Sequence, residues 1–138
     1  MEAEGNQSTQ RCKRLLVVED REDIRKLIER MLALRNDYRC ELLATAHEAL
    51  DRFVADPNGF DAALLDFELD TDGPTGKGNG AALCAAMRMT RPELPVVFVS
   101  GWRREDLGKV LDEPHTSYLA KPFTPDRLFQ VVDDVLRN

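Results

Sequence analysis

Basic charge is in short supply in this sequence. Nineteen Lys and Arg face 25 Asp and Glu, leaving a net charge of −6. An acidic chain is a poor electrostatic match to a phosphate backbone, which argues against direct nucleic-acid binding. Cysteine is scarce too. Only Cys12, Cys40 and Cys84 are present, and no two have C-x-x-C spacing. That argues against a zinc site, and the odd, widely spaced set fits reduced thiols in a cytosol. No apolar run approaches the ~20 residues of a membrane span, and the opening MEAEGNQSTQ lacks the apolar stretch of a signal peptide. Internal repeats and an inter-domain linker are also missing.

What remains is an ordinary globular composition, 43% hydrophobic and 32% charged over 138 residues. That length suits one domain with a single core. Residues 1–12 are polar and without periodicity and read as a mobile tail, with the ordered domain expected over 13–138. Leu15–Val18 is a short continuous apolar run, the mark of a strand buried on both faces. Ile24, Leu27, Ile28, Met31 and Leu32 follow at helical spacing. A second strand is expected at about 40–44 and a helix from His47 to about Ala55, stopped by Asp56-Pro57-Asn58-Gly59. Ala62–Leu65 is a third strand running into Asp66. The stretch DFELDTDGPTGKGNG is loop, and a small-residue helix from about Gly80 to Thr90 includes Cys84 and Met87 as core positions. Pro95–Val99 is strand four, a weakly patterned helix falls within 103–111, and Ser117–Ala120 is strand five, the shortest. Thr124 caps the last helix, Pro125 suits its first position, and Leu128, Val131, Val132, Val135 and Leu136 form its apolar stripe. Five strand–helix alternations imply five parallel strands with helices on both faces.

Ligands of such sheets bind beyond the carboxyl ends of the strands, at a topological switch point. Glu19 and Asp20 follow strand one, Asp66 strand three, Ser100 strand four and Lys121 strand five. Three carboxylates packed together repel one another unless a cation joins them. Mg²⁺, or Mn²⁺, takes carboxylates, water and phosphate oxygens. Lysine and serine suit phosphate, and a carboxylate can serve as nucleophile to give an aspartyl-phosphate. The set reads as a metal-assisted phosphoryl-acceptor site. GPTGKGNG fails the P-loop pattern, because Lys77 is followed by Gly78.

VVED, LLDFELD, VSG and YLAKPF, in that order at successive strand ends, resemble the response-regulator receiver domain of two-component signalling. The resemblance implies a flavodoxin-like (βα)5 fold with strand order 2-1-3-4-5. It implies Asp66 as phosphoacceptor and Asp20 as direct metal ligand, with Glu19 alongside acting through water. Glu68 would lend its backbone carbonyl to the metal. Ser100 would be the switch hydroxyl, Lys121 the phosphate-binding lysine and Tyr118 the aromatic that changes rotamer, with Lys121-Pro122 a cis peptide. A histidine kinase or phosphotransfer protein would be the donor and an effector protein the receiver of the signal, in the cytoplasm. Two departures stand out. The proline usual after the acceptor strand is missing, and the loop before Gly80 is longer than the family's by roughly half a dozen residues, a length often functional.

Expectations follow for three further places. The 70–79 loop, glycine-rich and poor in apolar groups, is expected to be mobile and able to close over the site. The Glu68 carboxylate is expected at the rim, tuning the lifetime of the phosphorylated form. Trp102, two residues after Ser100, is expected to ride on the switch segment. His47 and His115 have no partner pattern and read as surface or helix-end residues. With the chain ending at Asn138, right after the last helix, no DNA-binding output domain is expected, whether the chain stands alone or comes from a hybrid kinase. Two rival classes remain: a pseudo-receiver binding module, and an aspartate-nucleophile phosphatase of the haloacid dehalogenase type. The retained Asp, acidic pair, hydroxyl and Lys weigh against the first. The loose D-x-D match and the short chain weigh against the second.

Overall fold

The computed structural model describes residues 12–69 and 79–137. The expected 70–79 loop, apart from the backbone of Asn79, and the expected tail, apart from Cys12, lie outside the described residues. The strands are β1 (Lys13–Val18), β2 (Tyr38–Leu43), β3 (Ala62–Asp66), β4 (Val96–Ser100) and β5 (Thr116–Ala120). The helices are α1 (Glu22–Leu32), α2 (Ala46–Ala55), α3 (Asn79–Thr90) and α4 (Pro125–Arg137), with a 3-10 segment over Arg104–Asp112 between β4 and β5. Every strand pair is parallel, in the order β2-β1-β3-β4-β5. Each described connection between successive strands runs through a helix or the 3-10 segment, since parallel neighbours cannot be joined by a tight turn.

The period-two alternation of each strand divides the core into two layers. Leu15, Val17, Leu64, Val97, Val99 and Leu119 face α1 and α4, where Ile28, Leu32, Leu128 and Val132 meet them. Leu16, Val18, Leu65, Val96 and Phe98 face the other way, against Phe53 of α2, Leu83, Cys84 and Met87 of α3, and Leu107. Cys84 and Met87 are core, as the small-residue pattern suggested. Thr124 accepts the Arg127 N–H at 3.1 Å and opens α4, satisfying one of the free amides of its first turn.

Three elements differ from the sequence expectation. β2 begins at Tyr38, earlier than its apolar residues indicate, because its first residue is buried while the rest of this edge strand is partly exposed. β5 is five residues long, equal to β3 and β4. The weakly patterned helix is a 3-10 segment interrupted at Gly108, whose φ of 72° and ψ of −150° lie outside any helix. That region is essentially open only to glycine, so a regular α-helix cannot pass through it. His47 sits exposed in the first turn of α2 and approaches Asp51 at 3.4 Å. His115 is in the turn before β5 with φ of 61°.

Candidate phosphoryl-acceptor site

The order reversal between β1 and β3 leaves a crevice at their carboxyl ends. β1 delivers Glu19 and Asp20 there, and β3 delivers Asp66. Glu19 is 1% exposed and Asp66 4%. One carboxylate oxygen from each of Glu19, Asp20 and Asp66 lies within 4.8 Å of the others. Lys121, just past β5, reaches across β4. Its Nζ is 3.1 Å from Glu19 Oε1 and 3.5 Å from Asp66 Oδ1. The Lys121-Pro122 peptide is cis, as the resemblance implied.

Backbone ladders fix these strand ends in one register. Glu19 N–H donates to Leu43 O at 3.0 Å, Phe67 N–H to Val99 O at 2.9 Å, and Lys121 N–H to Ser100 O at 2.8 Å. Arg25, in the first turns of α1, donates to the carbonyls of Glu19 and Asp20 at 2.8 and 3.3 Å. Sequence reasoning passed over Arg25. Its only signal was a cation about one and a half turns after an acidic pair. Gly80 packs α3 onto the turn after Asp66, donating to Phe67 O at 3.1 Å. A Cβ at Gly80 would lie 2.4 Å from Asp66 O and 2.8 Å from Phe67 Cα, so any larger residue would push the end of β3.

The electrostatics follow from burial. Glu19 is pushed up to about 7 by burial, then by the Asp66 charge, with Lys121 and the Arg21 amide opposing. Burial lowers the Lys121 ammonium, but Asp66, Glu19 and the hydrogen bond to Glu19 outweigh it, and the net shift is upward. The lysine is therefore charged, and its single ammonium faces a gathering of three carboxyl groups. Hard oxygen donors gathered in this way fit a divalent cation such as Mg²⁺.

Ser100 is fully buried at the end of β4. Its hydroxyl donates to Glu68 Oε2, and its oxygen accepts Trp102 N–H at 2.9 Å. Gly101 N–H faces Glu68 Oε1 at 3.4 Å, and Glu68 N–H donates to Asp66 Oδ1 at 3.0 Å. Tyr118 donates its hydroxyl to Trp102 O, and Arg104 lies over its ring at 5.8 Å. Trp102 stacks edge-on to Phe67 at 5.8 Å. Glu68 thus lies across Ser100 at the end of β4, a contact that residue order alone does not reveal. All seven residues singled out from the sequence, Glu19, Asp20, Asp66, Glu68, Ser100, Tyr118 and Lys121, belong to one connected crevice and its margin.

A doubly wound parallel sheet with an acidic cluster and a lysine at its switch point defines a class of α/β proteins that handle charged ligands there. The particular family is shown by its sequence profile: the response regulator receiver domain matches residues 15–133, and the chain belongs to that family. It is a signalling family, of two-component systems. No curated protein matches the chain. Solved structures do. One is the N-terminal domain of a response regulator/sensory box/GGDEF three-domain protein from Carboxydothermus hydrogenoformans. It is 27% identical with a TM-score of 0.74, covering 91% of this chain and 94% of that one. A CheY-like receiver domain protein from Methanospirillum hungatei JF-1 is 24% identical with a TM-score of 0.74, covering 91% and 94%. The response regulator TrrA from Thermotoga maritima, in complex with Mg²⁺-BeF, is 23% identical with a TM-score of 0.73, covering 89% and 98%.

Proposed function

We propose that residues 13–138 form a phosphoacceptor receiver that takes a phosphoryl group from the phosphohistidine of a histidine kinase or phosphotransfer protein onto Asp66. The observation that carries this reading is Asp66 itself, 4% exposed, with Lys121 Nζ 3.5 Å from Oδ1. An Asp66 oxygen attacks phosphorus, the P–N bond breaks, and its electron pair returns to the donor imidazole. The product is an acyl phosphate, which water later cleaves to carboxylate and inorganic phosphate.

Lys121 neutralises phosphoryl oxygens as charge shifts during transfer. Asp20, Glu19, Asp66 and the Glu68 carbonyl would hold Mg²⁺ or Mn²⁺, which screens the carboxylates from the incoming phosphate when bound. Ser100 donates its hydroxyl to a phosphoryl oxygen. Its link through Trp102 to Tyr118 carries the change to a surface where an effector protein docks. Both partners are proteins, with neither nucleic acid nor membrane contacted directly. A cytoplasmic setting accords with three free thiols, and no helix among the described residues is long and apolar enough to cross a membrane.

The test is phosphoryl uptake. With a small phosphodonor and Mg²⁺, intact-mass measurement should register one added phosphoryl group, labile at alkaline pH. Asp66→Asn should gain none. Alkali-labile label that persists in Asp66→Asn sinks the assignment.

A further inference from the structure

The Ser100 hydroxyl has a single proton, and Glu68 already holds it. The neighbouring Gly101 amide faces the other oxygen of the same carboxylate at 3.4 Å. Two donors at the end of β4 therefore serve the two oxygens of one anion. These are the donors that a phosphoryl group on Asp66 would need. Ser100 is fully buried, so its hydroxyl has no water-facing alternative. Its oxygen is itself engaged by Trp102 N–H at 2.9 Å.

Glu68 cannot diffuse away. It is two residues from Asp66, and its own N–H is bonded to Asp66 Oδ1 at 3.0 Å. A tethered anion competes at an effective concentration set by its short tether rather than by solution. The charge at this spot is felt further in, since Glu68 is among the carboxylates that raise Lys121.

We propose that the Glu68 carboxylate is a built-in competitor of the phosphoryl group, occupying the Ser100 hydroxyl and Gly101 amide in the unphosphorylated chain. The proposal rests on the phosphoacceptor reading of Asp66 and goes beyond it. Phosphorylation exchanges one anion for another on Ser100, and Glu68 must swing out for the phosphoryl oxygen to enter. Glu68 is thereby a positioning residue. It acts through Ser100 and sets how tightly the site holds a phosphoryl group.

Beryllofluoride with Mg²⁺ is the probe, titrated by calorimetry into the full chain. Removing a charge-assisted hydrogen bond in Glu68→Ala should tighten binding about tenfold. Glu68→Gln keeps an acceptor for Ser100 but no charge, and should fall between wild type and Glu68→Ala. In a Ser100→Ala background the gain from Glu68→Ala should shrink to less than about threefold, because the stronger of the two contested donors is gone and only the Gly101 amide at 3.4 Å remains. Unchanged affinity in both Glu68 variants overturns the proposal. So does a tenfold gain that survives intact in Ser100→Ala, which would assign the effect to charge repulsion alone. A wild-type protein that takes up no beryllofluoride would instead overturn the phosphoacceptor reading, and the competitor with it.

Discussion

Glu19 has the most confined carboxylate of the acidic set. It is 1% exposed. Its Oε1 has the Lys121 ammonium at 3.1 Å as its partner. Burial and the Asp66 charge raise its pKa from 4.5 to about 7. Between those values the folded chain keeps a proton that the unfolded chain has lost. Stability from this group is therefore full below about pH 4.5, declines as pH rises, and levels off above about pH 7. Glu19→Gln should abolish that slope. In cation-free buffer its stability advantage over wild type should grow between about pH 5 and about pH 8, by at most about 3 kcal/mol. Urea unfolding at the two pH values measures it; parallel behaviour would place the buried proton elsewhere. At this scale much was legible. Asp66, Ser100 and Lys121 could be named because each directly follows or ends a short apolar strand. The reach of Glu68 to Ser100 could not, because it depends on the path of a turn and a rotamer rather than on order along the chain. Arg25 was hidden for a related reason: its partners are backbone carbonyls, which no residue pattern advertises.

At the scale of elements, strands buried on both faces were the easiest to find. LLVV, AALL and VVFV need no partner pattern to declare themselves, and each lies in the sheet within a residue or two of its apolar run. The segment REDLGKVLD was harder. Only Leu107 in it is buried, so no apolar stripe marks it, and Gly108 with φ of 72° breaks the helix. What fixes the opposite end of this region is Arg88 on α3, whose side chain is 10% exposed. It donates to Leu94 O at 2.9 Å, His115 O at 2.9 Å and Thr116 Oγ1 at 2.9 Å. One guanidinium thus joins α3 to the approaches of β4 and β5. Arg88→Met keeps much of the apolar stem but strips Leu94 O and Thr116 Oγ1 of their guanidinium donor and leaves His115 O only the Val96 N–H, and should cost about 2–4 kcal/mol in denaturant unfolding. Arg88→Lys should recover little, because an ammonium cannot reproduce the planar fork. A loss below about 0.5 kcal/mol in Arg88→Met would mean that water replaces the arginine at no real cost.

For the molecule as a whole, the same sheet that supplies two apolar layers also forces acidic side chains together. Parallel strands all present their carboxyl ends at one edge, and β1 and β3 are neighbours there, so Glu19, Asp20 and Asp66 must converge in a chain already at −6. The repulsion is a cost of folding that the unfolded chain escapes. A divalent cation that binds only the folded chain should relieve it and stabilise the domain by mass action, about 2.7 kcal/mol at a hundredfold excess over Kd. At roughly 3 °C per kcal/mol for a domain of this size, Tm should rise by about 8 °C. Mg²⁺ titrated into wild type, with ionic strength held constant by a monovalent salt, should show that rise. Asp20→Asn should begin at a higher Tm without Mg²⁺, because one of the crowded carboxyl groups is gone, and should then gain much less from the ion. That crossing of the two curves separates specific coordination from screening, since screening would raise both proteins alike and in proportion to ionic strength. An equal rise in wild type and Asp20→Asn would remove Asp20 from the cation's donors, while no rise in either would show that Lys121 alone suffices to hold the carboxylates together.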